Sequence, residues 1–191
     1  MNKTKTVRLG DLEAGATFKI GEREFITFGE NDGKVAVVLK NSLFDSEFGR
    51  NNNFAESEIL KKLTEEFLPE IESAIGAENV LEFETDLLSL DGSAKHGVMR
   101  SKVSLPTFDF YRKHRAIFEQ NKLDEWWWLS TPDSTSEWNT DNIVICVSPR
   151  GFIDYYSYFI NFAVRPFCIF VSSISVSCEE KKWLREILKS L

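Results

Sequence analysis

The sequence predicts a single α+β domain on three observations: strand-type alternation between Phe18 and Leu39, two amphipathic helical stretches, and short apolar runs late in the chain. A length of 191 residues suits one domain over 1–191 and is enough to bury a substantial core.

Phe18 and Ile20 alternate with polar neighbours before Gly21-Glu22-Arg23 turns the chain into Glu24-Phe25-Ile26-Thr27-Phe28. Asn31-Asp32-Gly33 supplies the positive φ that a tight hairpin needs and leads into Lys34-Val35-Ala36-Val37-Val38-Leu39. An N-terminal β-meander over 1–43 is the expectation. Asn53, with Glu56 three residues on, has the form of a capping box. Ile59, Leu60, Leu63, Phe67, Ile71 and Ile75 then recur at helical spacing. Pro69 lacks an amide hydrogen and is expected to kink or end that helix, with Gly76 as a stop. Val80 to Leu90 reads as strand-like and is turned by Asp91-Gly92. Ser104-Leu105-Pro106-Thr107 precedes a short aromatic helix from Phe108 to Phe118, and Trp126-Trp127-Trp128-Leu129 suits only a buried strand or its edge. Ile143 to Val147 and Phe167 to Val171 are the clearest core strands and are expected to pair in one sheet. Ser177 and Glu180 form a second capping box, followed by the stripe Trp183, Leu184, Ile187 and Leu188 of a C-terminal helix over 176–191.

The charge balance narrows the partners. A net charge of −7 argues against nucleic acid, whose binding needs clustered Lys and Arg. The basic run Tyr111-Arg112-Lys113-His114-Arg115 reads as one solvated helix face. No window has the apolar length of a membrane span, and Met1 to Leu12 lacks the apolar core of a secretory signal. Cys146, Cys168 and Cys178 are odd in number and lack CxxC spacing, so buried, reduced thiols are expected. The cytoplasm or a phage particle is the expected location.

Motifs for chemistry do not emerge. His96 and His114 have no partner at a metal-ligand spacing, and no Walker, GxSxG or GxGxxG pattern occurs. Cys146 and Cys168 read as a redox pair or as small buried hydrophobes; nothing nearby in sequence would lower a thiol pKa, which favours the second. Ser130-Thr131-Pro132-Asp133 is best read as a polar turn. The expectation is a non-enzymatic protein with no catalytic residue, cofactor or metal.

The informative stretch runs from Trp126 to Phe170, and within it from Gly151 to Ala163. Three of the 4 tyrosines of the chain lie there, mixed with Phe, Ser, Asn and Asp, which is the composition of binding loops. Asp154, Tyr155, Tyr156, Tyr158, Phe159, Asn161 and Phe162 are the candidate ligand-contacting residues, expected on one exposed face. An aromatic hairpin tucked into the core is the other reading of the same run.

Three motifs then carry a resemblance: Trp126-Trp127-Trp128-Leu129-Ser130-Thr131-Pro132, Val147-Ser148-Pro149-Arg150-Gly151, and Ala163-Val164-Arg165-Pro166-Phe167. They resemble a family of uncharacterised gut-bacterial and phage domains with a WWLRSP-type strand, a V-x-x-x-G turn and a closing GVRPA-type strand. Phe48-Gly49-Arg50-Asn51-Asn52 and Ser104-Leu105-Pro106 fit the same pattern, so the resemblance covers Phe44 to Val171. Ser-Thr stands where Arg-Ser is common, and Ala163 where a closing Gly is common. The resemblance implies a C-type-lectin-like core over 44–175, similar to formylglycine-generating enzymes and to the variable proteins diversified by retroelements. It implies a ligand-binding module in which 154–162 faces a protein or surface ligand and Trp126, Trp127, Trp128, Arg165 and Pro166 form the scaffold. The catalytic cysteines of the enzyme relatives have no counterpart here. A self-assembling structural protein that uses the patch as a subunit interface, and so a homo-oligomer, is the alternative.

Overall fold

In the computed structural model, which describes residues 4–135 and 142–179, strand β1 (Thr4–Arg8) precedes a meander of β2 (Thr17–Ile20), β3 (Arg23–Asn31) and β4 (Lys34–Leu39). Asp32 (φ 52°) and Gly33 (φ 73°) both take left-handed backbone at the β3–β4 turn. That is the geometry whose twist matches two paired strands. After the two-residue β5 (Asp45–Ser46), Asn53 caps only a 3-10 turn, accepting from the Ala55 amide. The helix proper starts later: the Ser57 hydroxyl accepts from the Leu60 amide and caps α1 (Glu58–Lys62). The helix start expected from the Asn53–Glu56 pair is therefore displaced by four residues, to Ser57, and Asn53 donates to the Glu56 carboxylate through its side-chain amide.

Pro69 does not end the helix. The Leu68 amide reaches back to the Leu63 carbonyl across one widened π turn (Leu63–Phe67), and α2 (Leu68–Ile75) continues to Gly76. Proline removes one ladder donor and crowds the preceding turn, and a wider turn at that point relieves the crowding. Gly76 stops the helix at φ 89°, where an added Cβ would meet the Glu78 carboxylate.

The strand expected over Val80 to Leu90 is shorter and divided, into β6 (Val80–Leu81) and β7 (Phe83–Asp86); β7 pairs with β8 (Val98–Ser101). The aromatic helix is likewise broken, into α3 (Phe108–Lys113) and α4 (Arg115–Gln120), at His114 with φ −110° and ψ 22°. The remaining strands are β9 (Trp127–Pro132), β10 (Ile143–Val147), β11 (Ile153–Ser157), β12 (Phe162–Ala163), β13 (Phe167–Val171) and β14 (Ser175–Glu179).

These strands form a mixed α+β fold built mostly of curled sheets. Seven strands order as β1-β14-β2-β3-β4-β13-β6, five as β11-β10-β9-β12-β5, and β7-β8 stand apart. Two expectations are corrected here. Ile143 to Val147 and Phe167 to Val171 lie in different sheets, because β13 pairs with β4 and β6 whereas β10 pairs with β9 and β11. Val164-Arg165-Pro166 carries the chain from one sheet to the other. Ser177, expected as a helix cap, is a strand residue opposite Thr6 and Lys19. Glu180 and the stripe from Trp183 to Leu188 lie outside the described residues. Because β14 lies between β1 and β2 and β13 lies beside β4, the meander shares one sheet with these later strands rather than standing as an appendage.

Two apolar clusters fill the interior. One gathers Phe18, Phe25, Val37, Ile59, Phe67 and Phe170; the other gathers Val38, Tyr111, Phe118, Ile145 and Val147. Successive residues of a strand point to opposite faces. Trp128 accordingly enters the first cluster and its neighbours Trp127 and Leu129 the second, so β9 is buried on both sides. Each large side chain so buried contributes about 1.5–3 kcal/mol.

Candidate functional site

The site residues read from the sequence fall on β11, the turn after it and β12. The β10–β11 turn is set by Gly151, at φ 79°, whose amide donates to Ser148 O at 2.8 Å. Its carbonyl accepts from the Tyr111 hydroxyl at 2.7 Å, and an added Cβ would lie 3.4 Å from that oxygen. Only glycine meets both demands without strain. Beyond the turn β11 pairs with β10, and among the described residues its outer edge has no strand neighbour.

The run is aromatic and exposed, but not on one face. Phe152 is 58% exposed, Tyr155 62%, Tyr156 39% and Phe159 53%. Tyr156 lies opposite Val144 and Tyr155 opposite Ile145. Directly paired residues share a face, and Val144 belongs to the first cluster whereas Ile145 belongs to the second. Tyr155 and Tyr156 therefore project on opposite sides of a free edge. The single contiguous face expected from the sequence is corrected to an edge strand flanked by aromatics on both sides.

Phe162, expected to touch ligand, is half-buried in an aromatic stack. Its ring is 5.6 Å from Trp126 and nearly parallel to it, 4.7 Å from Trp128 and 5.3 Å from Tyr156. Tyr158 is also half-buried against the first cluster, with its carbonyl accepting from the Phe48 amide. Asn161 and Phe159 are exposed in the turn. Asp154 is half-buried and accepts from the Tyr155 amide. Its charge adds to burial in pushing the Cys146 thiol up to about 12; desolvation is the larger cause. Phe152, which the sequence reading omitted, belongs with the exposed set; its place just after the Gly151 turn was the available signal.

The scaffold residues occupy the interior around this edge. Trp128 donates its indole N–H to Ser46 O at 3.0 Å. Arg165, fully buried, donates through Nε to Leu39 O at 3.0 Å and lies over the rings of Trp127 and Phe118, 4.9 and 5.7 Å away. Burial lowers its pKa to about 10, so the guanidinium remains charged at neutral pH. Asn52, buried and also missed as a key residue, donates to Ser134 O at 2.7 Å and Ile143 O at 3.1 Å, and its Oδ1 lies 2.9 Å from His96 Nε2.

Chemically, the thiols are poorly placed for nucleophilic work. Cys146, Cys168 and Cys178 are buried and unbridged, and burial pushes Cys168 upward as well. Among the described residues no group of three His, Cys, Asp or Glu is placed to hold a metal, and no helix is long and apolar enough to cross a membrane. His114 is not a plain surface histidine: its ring packs on Phe28 and Phe110, with centroids 5.1 and 4.6 Å away, and burial lowers its pKa.

No family model matches the chain, and comparisons with curated proteins and with solved structures find no match either.

Proposed function

We propose that this chain is a non-enzymatic binding module of the C-type-lectin-like kind, related to the gut-bacterial and phage domains it resembles and to retroelement-diversified variable proteins. The β11 edge engages a protein or surface ligand. The observation that carries the reading is the density of exposed rings there: Phe152, Tyr155, Tyr156 and Phe159 lie within eight residues, on and beside a strand with an open edge. Rings so exposed favour a partner, since apolar surface returned to water is unfavourable and rigid side chains lose little entropy on binding. The open edge also leaves backbone groups, other than the Tyr155 amide that Asp154 already takes, for an incoming strand to satisfy. Phe162 and Trp126 pack against the Tyr156 ring and support that side of the edge.

The alternative, a self-assembling structural protein, uses the same edge, with a second copy as the partner. Sedimentation of the wild type and of Tyr155→Ala across a concentration series separates the two. A monomer at all concentrations, with unchanged stability in the variant, supports the binding module. A dimer that Tyr155→Ala dissolves supports self-assembly. A large loss of stability in the variant would overturn both. Sequencing the locus across isolates tests the diversified-protein reading: substitutions concentrated in 154–162 support it, and an invariant segment beside a variable remainder defeats it.

A further inference from the structure

Away from the aromatic edge, a groove of about 490 Å³ opens between the β7–β8 hairpin, the segment that follows β7, and the first turn of α3. That volume lies in the range of small-molecule sites. Its apolar lining includes Phe83, Leu105, Phe108 and Phe110, with Leu88 and Leu90 at the side. The segment after β7 alternates strictly: Leu87 and Ser89 are buried, whereas Asp86, Leu88 and Leu90 are exposed, and all three of the exposed residues line the groove. Two exposed leucines facing an apolar trough leave hydrophobic surface in water that a bound molecule would cover.

The charges of the lining choose among such molecules. The Glu84 carboxylate is engaged by Arg100 at 3.0 Å, and Asp109 by Arg112 at 3.0 Å; the Arg112 guanidinium also covers the Phe108 ring at 5.4 Å. Asp86 accepts from the Leu88 amide through Oδ1 at 2.9 Å, and among the described residues no cation pairs with it. One uncompensated carboxylate therefore stands beside the trough. We infer that this groove binds a small free molecule with an apolar body and a single cationic group, the body between the leucines and the α3 rings and the cation at Asp86. This inference does not rest on the β11 edge.

The test uses three probes of one shape and different charge, 4-phenylbutylamine, 4-phenylbutanol and 4-phenylbutyrate, titrated into the full chain while the methyl resonances of Leu88 and Leu90 are followed. The amine is expected to saturate these shifts and to bind about two- to five-fold more tightly than the alcohol, the range of an exposed ion pair, with the butyrate weakest. Asp86→Asn keeps the Oδ1 acceptor for the Leu88 amide and should bring the amine down to the alcohol. The double variant Leu88→Ser, Leu90→Ser should weaken all three probes, whereas Tyr155→Ala should change none. Equal affinity for the three probes, or an amine preference that survives Asp86→Asn, would overturn the assignment. Tighter binding of an acetylated Phe-Lys dipeptide amide than of the free amine would overturn the free-molecule class in favour of a peptide.

Discussion

Asn52 shows how one side chain can hold distant segments together. Its amide bridges the carbonyls of Ser134 and Ile143, on either side of the β9–β10 connection, and its oxygen meets His96. Truncation would take one donor from each of these carbonyls, of which Ile143 O keeps the Asp133 amide at 3.1 Å, and would remove the acceptor that His96 meets, so Asn52→Ala should cost about 1–3 kcal/mol in urea unfolding. The aromatic run divides at this scale too. Tyr155→Ala, at an exposed ring, should shift stability by less than about 0.5 kcal/mol. Phe162→Ala, which empties the stack with Trp126 and Trp128, should cost about 2–3 kcal/mol, somewhat below the loss of a fully buried ring. Equal costs at the two positions would contradict the division of roles. Composition identified both as aromatic members of one run, but burial separates them, and burial depends on β5 and β9 packing around β12.

At the scale of elements, the helix over 58–75 and the α3–α4 break are the instructive cases. Ile59, Leu63, Phe67 and Ile71 repeat every four residues, and a regular helix advances about 40° too far at each such step. The π turn takes back part of that excess and keeps the four side chains in the first cluster. The uniform spacing was therefore visible in the sequence, and the direction in which it would be resolved was not. At the α3–α4 break, the His114 ring packs against two phenylalanine rings, and burial and then the Lys113 charge lower its pKa. The unfolded chain thus takes up the proton first as pH falls, so stability present above about 6.5 is lost progressively below it. His114→Phe should flatten the melting temperature between pH 6.5 and 5 relative to wild type. An unchanged slope would show that the His114 ring contributes nothing to acid sensitivity.

Across the whole molecule, the two clusters share the double-faced strand β9, so the interior should open as a unit. Cys146 and Cys168 lie within it, and their labelling by a thiol reagent should occur only on global unfolding, at a rate that rises with urea as the unfolded fraction does. Fast labelling of either in native buffer would contradict this burial. What the sequence by itself determined is local: the Asp32-Gly33 hairpin, the stop at Gly76, and strands at the apolar runs Lys34–Leu39, Ile143–Val147 and Phe167–Val171. Those outcomes follow from backbone sterics and short-range periodicity, which a few neighbouring residues contain in full. Only the tertiary structure decided that β10 and β13 part company, that 175–179 is a strand between β1 and β2, and that the tyrosines straddle an edge. A strand's partners are chosen by residues far away in the chain, and the face each ring takes follows from that pairing. The groove beside Asp86 has the same origin, because the residues that line it lie as far apart in the chain as Phe83 and Phe167 and share no local pattern.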